Sequence, residues 1–550
     1  MSFRKAIIAG LASALLAGGA ACGQDIVIRN ARIISQDGAG GVFNAISIGD
    51  GRVHATGTNA AILRDAPASA RIIDAGGRTI IPGLVDSHIH AIRAGLTPPS
   101  EASFEGARTI AQAMTRIAEA AATAPGGGWI VVAGGWTEQQ FEEGRKPSRA
   151  EIETAANGRH VFIQLFYRAV YLSPGGLSAL GFEGGALPAG AKLEHDAQGR
   201  PTGWITGKAA AITALYGKLP RGTLAQRMDG TQRFFAQLNS YGVTGVIDPG
   251  GHNLAPGDYE ALFALWRQRK LSLRVAYSIC APSRGRELEE YRHYTQFLPQ
   301  GFGDSMLRFN GIGERVTWGV YNNDAPGPVE AKQFEDVARW AARRGLTMTV
   351  HWNRQSSSHF LFDTLERVAR DTPFAHLRWS VAHLHDATPA TLQRLKALKL
   401  GWLTQNAFYF AAPSFVAENF RRVRNSPPLR SAIGMGLPTG GGTDASRVMS
   451  YNPFKALQWM VDGRTVNGVP MRGPSERISR QEALRLWTQG SAWFAFADRE
   501  RGALVPGMQA DLAILSKDYL TVPAEEIGSI RSMLTMVGGR IVHASAPFTK

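Results

Sequence analysis

The chain has 550 residues, of which 44% are hydrophobic and 19% charged. This composition excludes a largely disordered protein and suffices for a large core with a smaller attached domain. Lys and Arg number 60 against 45 Asp and Glu, a net charge of +15, but the basic residues are scattered and no aromatic residues are interleaved among them, which argues against nucleic acid as a partner.

The N-terminus has the three-part layout of a secretory signal. Arg4 and Lys5 precede an apolar run at residues 6–16 that is too short for a permanent membrane span. We therefore expect residues 1–23 to be a signal peptide and the protein to be exported to the bacterial periplasm, with no integral membrane span. Cys22 stands where a lipoprotein signal has its cysteine, although Gly19 occupies a position usually held by a large apolar residue. Plain cleavage and a lipid anchor on Cys22 both stay open.

Short strand-like runs, punctuated by Gly and Asp, fill both ends of the chain. They lie at residues 26–28, 31–34, 45–48, 52–54 and 71–73, and again at 510–515 and 533–542. We expect residues 24–80 and 490–550 to combine into one small β-sandwich domain.

Eight apolar strand-like runs, several of them separated by amphipathic helices, occupy the middle of the chain. The runs lie at residues 79–89, 244–249, 271–280, 307–314, 346–351, 377–383, 400–406 and 436–444, with helices predicted at 329–344, 357–370 and 389–400. The alternation predicts an α/β fold, a (β/α)8 TIM barrel at residues 81–489. A stretch at about 92–235 is too long for one connection and has strand-like runs at 129–133 and 160–166, so we expect an insertion after barrel strand 1, over the barrel mouth.

The first of these runs ends in a pair of histidines, His88 and His90. Alternate residues of a strand point to the same face, so both imidazoles could reach one cation. Such a pair can also be incidental, but a position at the end of a barrel strand is where barrel enzymes place their chemistry.

Three more residues that can bind a metal end later runs: His351, His383 and Asp444. Taken singly, each has an ordinary structural reading, as a buried histidine or as an aspartate in a turn. Their recurrence at successive strand ends favours one shared metal site.

The ordered set His88-x-His90, His351, His383 and Asp444 resembles the amidohydrolase superfamily. The stretches at residues 80–86 and 502–512 agree with this resemblance. The long insertion is similar to the branch that contains N-substituted formamide deformylase and related exoenzyme-like amidohydrolases. The resemblance implies a barrel hydrolase whose histidines and aspartate bind one or two divalent metal ions, with zinc the best match to such ligands.

One position departs from a common pattern of that superfamily. Many relatives place a lysine, often carboxylated, at the end of the fourth barrel strand, where it bridges two metals; the matching residue here is Glu314. A carboxylate offers two oxygens to two cations, so we expect Glu314 to bridge. A Glu314–Arg315 pair at the rim, a carboxylated Lys208 as the bridge, and a site with one metal stay open as alternatives.

Six further residues are candidates for substrate binding, because their side chains can hydrogen-bond a carbonyl oxygen or a carboxylate. They are Tyr167, Arg168 and Tyr171 in the insertion, Asn353 and Arg354 after His351, and Asn406 after the seventh run. For each, plain surface or core packing is the alternative. His252 and His385 are not expected to be ligands.

These residues predict hydrolysis of a carbon–nitrogen bond in an amide, N-acyl or cyclic amide substrate by a metal-activated hydroxide. Asp444 would take the proton of the water and return it to the leaving nitrogen, and His383 would help to stabilise the oxyanion. Ester, lactone or carbamate hydrolysis by the same site is the alternative activity, and a non-catalytic binding protein is the alternative from another class. A small molecule is the expected partner, and homo-oligomer formation is left open.

Overall fold

The computed structural model describes residues 26–549 apart from residues 39 and 448 and the segments 97–100, 125–127, 183–186, 252–253, 321–324 and 411–423. The predicted signal peptide with Cys22, and also His252, lie outside the described residues. Within the described part of the chain, no helix is long and apolar enough to cross a membrane.

The N-terminal region consists of seven short strands and one helix. They are β1 (Ile26–Arg29), β2 (Arg32–Ile34), β3 (Val42–Phe43), β4 (Ala45–Gly49), β5 (Arg52–Gly57), α1 (Asn59–Arg64), β6 (Arg71–Asp74) and β7 (Thr79–Pro82). Four of the strands form a sheet in the order β5-β4-β1-β6.

The first barrel strand, β8 (Leu84–Asp86), is separated from β7 by Gly83 alone. The single strand predicted at residues 79–89 is therefore two strands, of which β7 belongs to a terminal sheet and β8 to the barrel. A Cβ at Gly83 would lie 2.2 Å from Thr244 Oγ1, so a side chain there would collide with the next barrel strand. The one-strand prediction was wrong because a continuous apolar run carries no sign of a change of sheet.

A five-stranded sheet flanked by helices lies between β8 and the next barrel strand. Its elements are α2 (Ala91–Ala94), α3 (Ile110–Thr123), β9 (Trp129–Val132), α4 (Arg149–Ala156), β10 (His160–Leu165), β11 (Ala169–Leu172), α5 (Pro174–Ala179), β12 (Ala191–His195), β13 (Pro201–Gly207) and α6 (Ala209–Tyr216). The strand order is β12-β13-β11-β10-β9, and each face of the sheet buries its own apolar cluster. This is the insertion expected from the sequence.

The barrel strands and helices follow in alternation. They are α7 (Leu224–Asn239), β14 (Val243–Asp248), α8 (Glu260–Arg267), β15 (Arg274–Ile279), α9 (Glu287–Thr295), β16 (Leu307–Ile312), α10 (Pro328–Arg344), β17 (Thr349–Trp352), α11 (Ser358–Asp371), β18 (Ser380–His383), α12 (Pro389–Ala397), β19 (Gly401–Gln405), α13 (Leu429–Gly434), β20 (Thr439–Gly442), α14 (Pro453–Asp462), α15 (Arg480–Arg485) and α16 (Ser491–Phe494). Phe235 and Leu238 of α7 are buried in the barrel core, so this helix belongs to the barrel although it begins before residue 235.

Eight parallel strands close into a ring. They form two sheets of four, in the orders β16-β15-β14-β8 and β17-β18-β19-β20. Ile312 N donates to Thr347 O at 3.1 Å across one seam, and Ser87 N donates to Gly441 O at 3.1 Å across the other. The chain is therefore an α/β TIM barrel, which confirms the predicted fold class.

The C-terminal strands return to the beginning of the chain. β21 (Leu512–Leu515), β22 (Ser532–Val537) and β23 (Arg540–Ala544) join the N-terminal strands in a sheet ordered β23-β22-β21-β7-β2-β3. Apolar residues of both terminal sheets, including Ile46 and Leu512, lie in one buried cluster. The β-sandwich itself and its boundaries at 24–80 and 490–550 stay predictions.

Candidate metal centre

The six predicted metal-binding side chains lie at the carboxyl ends of barrel strands, where parallel strands bring their loops together. They are His88 and His90 after β8, Glu314 after β16, His351 in β17, His383 at the end of β18 and Asp444 after β20. His88, Glu314 and His383 are at most 3% exposed. The strands therefore deliver a compact set of imidazoles and carboxylates into a dry environment.

The Glu314 carboxylate contacts all four histidines. Its Oε2 lies 3.3 Å from His88 Nε2, 3.0 Å from His351 Nδ1 and 3.2 Å from His383 Nε2. Its other oxygen, Oε1, lies 3.3 Å from His90 Nε2. One carboxylate thus contacts four imidazoles, three through Oε2 and one through Oε1.

Asp444 completes the cluster on the side of the first histidine pair. Its Oδ1 lies 3.2 Å from His90 Nε2 and 3.7 Å from His88 Nε2. Three groups of ligand atoms, each within 4.8 Å of one another, could hold a metal ion: His88 with His383 and Asp444, His88 with His90 and Glu314, and Glu314 with His351 and His383. Glu314 belongs to two of these groups, so it is placed to serve two ions.

The histidine at the centre of the cluster fits a metal better than it fits the protein alone. Neither ring nitrogen of His88 has a hydrogen-bond partner among the described residues, although the side chain is fully buried. Buried polar atoms are nearly always paired. A cation held by Nε2 would account for one of the two unpaired nitrogens, and imidazole and carboxylate are ligands that zinc binds.

Two of the imidazoles are oriented by a second hydrogen bond. His90 Nδ1 lies 2.8 Å from Gly250 O, and His383 Nδ1 lies 2.8 Å from Gln405 Oε1. Both partners are acceptors, so Nδ1 carries the proton in each ring and Nε2 keeps its lone pair for a metal. Gln405 was not predicted from the sequence, although its position at the end of the seventh run offered the same signal as its neighbour Asn406.

His351 uses its other nitrogen. Its Nδ1 faces Glu314, and its Nε2 lies 3.1 Å from the Asn353 side-chain amide. The amide atom in this contact is Nδ2, which can donate to Nε2, whereas an amide turned the other way would accept from Nε2–H and leave the lone pair of Nδ1 towards the cluster. Asn353 is thus placed to set the tautomer of His351 rather than simply to bind substrate.

The electrostatics of the cluster favour charged carboxylates. Burial alone would raise the pKa of Glu314, but the charges of His351 and His88 lower it well below its usual range. Burial would likewise raise the pKa of Asp444, and the hydrogen bond from His90 together with nearby imidazoles lowers it to about 2. Burial is the largest influence on His88 and lowers its pKa. Burial would also lower the pKa of His90 and His383, but hydrogen bonds to Asp444 and Glu314 raise it, in His90 to about 10. Because metal binds ionised carboxylates and neutral imidazoles, it would displace a proton from these two rings.

A buried aspartate ties the first and last barrel strands together next to the ligands. Asp86 accepts hydrogen bonds from His88 N and Thr443 N, each at 3.1 Å, and from Thr443 Oγ1 at 2.6 Å. A Cβ at Gly442 would lie 2.7 Å from His88 N, so the glycine allows the close approach. His88 and His90 follow the end of β8 instead of lying within the strand as predicted. The hydrogen bonds of Asp86 to His88 and Thr443 hold this segment in place.

Asn406 is the predicted substrate-binding residue with the most unusual surroundings. It is fully buried, and neither its side-chain nitrogen nor its side-chain oxygen has a hydrogen-bond partner among the described residues. It immediately follows β19. Arg354 is exposed in the loop after β17, and Tyr167 is half-buried at the end of β10. Of these three residues, Asn406 offers both an unpaired donor and an unpaired acceptor to a ligand.

Two predicted substrate-binding residues are turned elsewhere. Tyr171 is fully buried in the apolar core of the insertion, with its ring centroid 5.6 Å from that of Trp204. The Arg168 guanidinium donates to both oxygens of Glu138, at 2.6 and 2.7 Å, on the surface of the insertion. Packing explains the first position and an ion pair the second, so neither prediction is supported by the contacts.

The structure also shows the positions of Lys208 and Arg315, which belong to the alternatives to a bridging Glu314. Lys208 is exposed at the start of α6. Arg315 donates to Ala281 O at 3.0 Å and lies over the Trp318 ring at 3.8 Å, and no Glu314–Arg315 ion pair is present among the described residues. The geometry therefore favours Glu314 as the shared carboxylate. His385, 8% exposed, lies with its ring centroid 5.8 Å from that of His383 and belongs to none of the three ligand groups.

Comparisons with known proteins give the family and the fold of the chain. A family model described as an amidohydrolase family matches residues 71–543. N-substituted formamide deformylase of Arthrobacter pascens is 22% identical over 547 residues, covering 94% of this chain and 98% of that protein. An uncharacterized metal-dependent hydrolase of Pyrococcus horikoshii superposes with a TM-score of 0.65 at 20% identity, over 91% of this chain and 99% of the other. The structure of atrazine chlorohydrolase TrzN from Arthrobacter aurescens complexed with zinc superposes with a TM-score of 0.54 at 16% identity, over 94% of this chain and 95% of the other.

Proposed function

The chain belongs to the amidohydrolase family, as a metal-dependent hydrolase that acts on carbon–nitrogen bonds, and we propose that its substrate is an amide, an N-acyl compound or a cyclic amide. The observation that carries the proposal is the contact of one buried carboxylate, Glu314, with four histidine nitrogens at 3.0–3.3 Å. Bound cations would compensate the unfavourable burial of the two carboxylates in this cluster.

We propose two divalent ions, bridged by Glu314. One would be held with His88 and His90, and the other with His351 and His383. Zinc is proposed because imidazole and carboxylate suit it, and because the atrazine chlorohydrolase structure is a zinc complex. Bound there, the ions supply an acidified water molecule and polarise the carbonyl group of the substrate.

Side chains would carry out proton transfer, substrate binding and stabilisation of the oxyanion. Asp444 would accept a proton from the attacking water and deliver it to the leaving nitrogen, as general base and then general acid. Its low pKa keeps it ionised before the reaction. The unpaired amide of Asn406 would hold the substrate amide, since its oxygen can accept an N–H and its nitrogen can donate to a carbonyl. His383 or Tyr167 would help to stabilise the oxyanion.

The purified protein is expected to carry between one and two equivalents of a divalent transition metal, chiefly zinc, and to lose activity with a chelator. Elemental analysis measures the content directly. His88→Asn should lower it, because His88 belongs to two of the three ligand groups, whereas His54→Asn, at an exposed position in the terminal sheet, should leave it unchanged. Metal-free protein whose activity ignores chelators would contradict the proposal.

The reaction class is tested by incubating the metal-loaded enzyme with N-acyl amino acids, cyclic amides and lactones. The expected result is hydrolysis of N-acyl amino acids or cyclic amides, measured by the appearance of a free amino group. Turnover confined to the lactones would contradict the carbon–nitrogen assignment and favour the ester-cleaving alternative.

We also propose that the protein is exported. In a Gram-negative host it should lose about its first 21–25 residues, as a cleaved signal does. Intact mass and N-terminal sequencing measure the loss. A mass increment on Cys22 that disappears in Cys22→Ala would indicate a lipid anchor, and its absence would indicate plain cleavage. A soluble protein with an intact N-terminus would refute the signal peptide.

A further inference from the structure

Two buried arginines close to the metal centre have guanidinium nitrogens without hydrogen-bond partners. Arg93 lies in α2, three residues after His90, and Arg447 lies three residues after Asp444. Each is 2% exposed. All three guanidinium nitrogens of Arg93, and Nε and Nη1 of Arg447, have no partner among the described residues. Buried charges are normally paired, so these two point to a ligand.

Two other buried arginines, Arg274 and Arg472, have clear hydrogen-bond partners. Arg274 donates to both oxygens of Asp511, at 2.8 and 2.9 Å. Arg472 donates to two backbone carbonyls, those of Met460 and Trp459. Arg315 and Arg501 leave Nε and Nη1 unpaired, as Arg447 does, whereas Arg93 leaves all three guanidinium nitrogens unpaired.

Arg93 and Arg447 share one environment. Arg447 lies over the ring of Tyr216, with Cζ 3.4 Å from the ring centroid. Both arginines interact electrostatically with Tyr167 and Tyr216, and with each other. Arg93 also interacts with Asp444 and Glu314 of the metal centre. Arg447 therefore lies against Tyr216 of the insertion, and Arg93 is close enough to the metal centre to interact with its carboxylates.

The insertion packs closely on the segment that carries Arg447. A Cβ at Gly134 would lie 2.0 Å from Arg447 O, and a Cβ at Gly135 would lie 3.0 Å from Met449 O. Both glycines have positive φ, +145° and +74°, so other residues would be strained there as well as crowded. This close backbone contact fixes the segment of Arg447 against the insertion.

The positive charges of Arg93 and Arg447 favour the binding of an anion. The counter-charges for Arg93 are the carboxylates of Asp444 and Glu314, and the proposed metal ions would take up that negative charge. Burial and the charge of Arg93 both lower the pKa of Arg447, to about 10, which leaves it protonated at neutral pH. Arg447 hydrogen-bonds Tyr216, whereas Nε and Nη1 of Arg447 and all three guanidinium nitrogens of Arg93 have no partner among the described residues.

We propose that Arg93 and Arg447 form a carboxylate-binding subsite beside the metal centre, so that the substrate is an amide that carries a carboxylate, as an N-acyl amino acid does. This inference rests on the proposed function and names its substrate class. A guanidinium presents a planar fork that matches a carboxylate. In an N-acyl amino acid the carboxylate is attached to the carbon that bears the amide nitrogen, so it must lie next to the bond that is cleaved. Arg93, which interacts with both metal-centre carboxylates, has that position.

The test compares pairs of substrates that differ only in charge: N-acetyl amino acids and the corresponding neutral N-acetyl amino acid amides. The wild-type enzyme should prefer the acids by about ten- to a hundredfold or more in kcat/KM, as expected for a charged hydrogen-bonded contact. Arg447→Gln and Arg93→Gln should each remove most of this preference by raising KM for the acids, and Arg447→Lys should keep part of it. Arg200→Gln, which removes an exposed charge of the insertion, should leave the preference unchanged.

Binding separates this inference from the proposed function. Calorimetry with the metal-loaded protein should detect phenylacetate and not phenylacetamide, and Arg447→Gln should lose the binding while its metal content stays that of the wild type. Binding of phenylacetate without turnover of any amide would overturn the proposed activity and keep the subsite. Three results would each overturn the carboxylate subsite: equal turnover of acids and neutral amides by the wild type, phenylacetate binding that is unaffected in both arginine variants, or tighter binding of phenyl phosphate. The first result is obtained with the wild-type enzyme alone, so it does not depend on the folding of a variant.

Discussion

Replacing Asp444 by asparagine is expected to lower kcat by about 10²–10⁴-fold, the usual worth of a positioned acid–base group. Asparagine has the same shape and keeps an oxygen close to His90 Nε2, at 3.2 Å in the native protein, but it cannot take a proton. The loss should therefore fall on kcat more than on metal binding. Steady-state kinetics together with elemental analysis of the variant separate the two effects.

Asp498→Asn is the matched control for Asp444→Asn. Asp498 is an aspartate of the same barrel that receives a 2.6 Å hydrogen bond from Arg378, and it belongs to none of the ligand groups. Its replacement should leave kcat nearly unchanged. If Asp444→Asn keeps near-native turnover with full metal content, Asp444 has no part in proton transfer.

The barrel could be predicted from the sequence because each strand is a short apolar run and five of the eight runs end in or beside a residue predicted to bind a metal. The metal-binding candidates followed from that pattern, since the carboxyl ends of parallel strands meet at one end of a barrel. His351 and His383 are examples: neither is informative alone, and both lie within 3.2 Å of Glu314.

Positions set by contacts between distant segments could not be predicted in this way. Tyr171 and Arg168 carry polar groups next to Tyr167 in the sequence, but a strand places Tyr171 in a core and Glu138 engages Arg168. Arg93 carries no sequence pattern at all: only the fold shows that it is buried without a partner. Gly83 likewise marks a change of sheet that hydropathy does not record.

Replacing Glu314 by glutamine is expected to reduce the metal content from two equivalents toward one and to reduce activity with it. The native carboxylate presents Oε2 to His88, His351 and His383 and Oε1 to His90, so removing its charge weakens both proposed metal positions at once. Glutamine keeps the shape, but it offers only a neutral amide oxygen between two dications, a weak ligand compared with a carboxylate. Elemental analysis of the purified variant measures the stoichiometry.

Lys208→Ala provides the comparison that decides whether Glu314 bridges. Lys208 is exposed at the start of α6, so its replacement should leave both the metal content and the activity at wild-type values. A carboxylated Lys208 acting as the bridge would give the reverse pattern: two equivalents in Glu314→Gln, fewer in Lys208→Ala, and a dependence of metal content on added bicarbonate. Two equivalents retained in Glu314→Gln would refute the bridging role even if its activity were impaired, because a shared ligand cannot be lost without loosening at least one of the ions it holds.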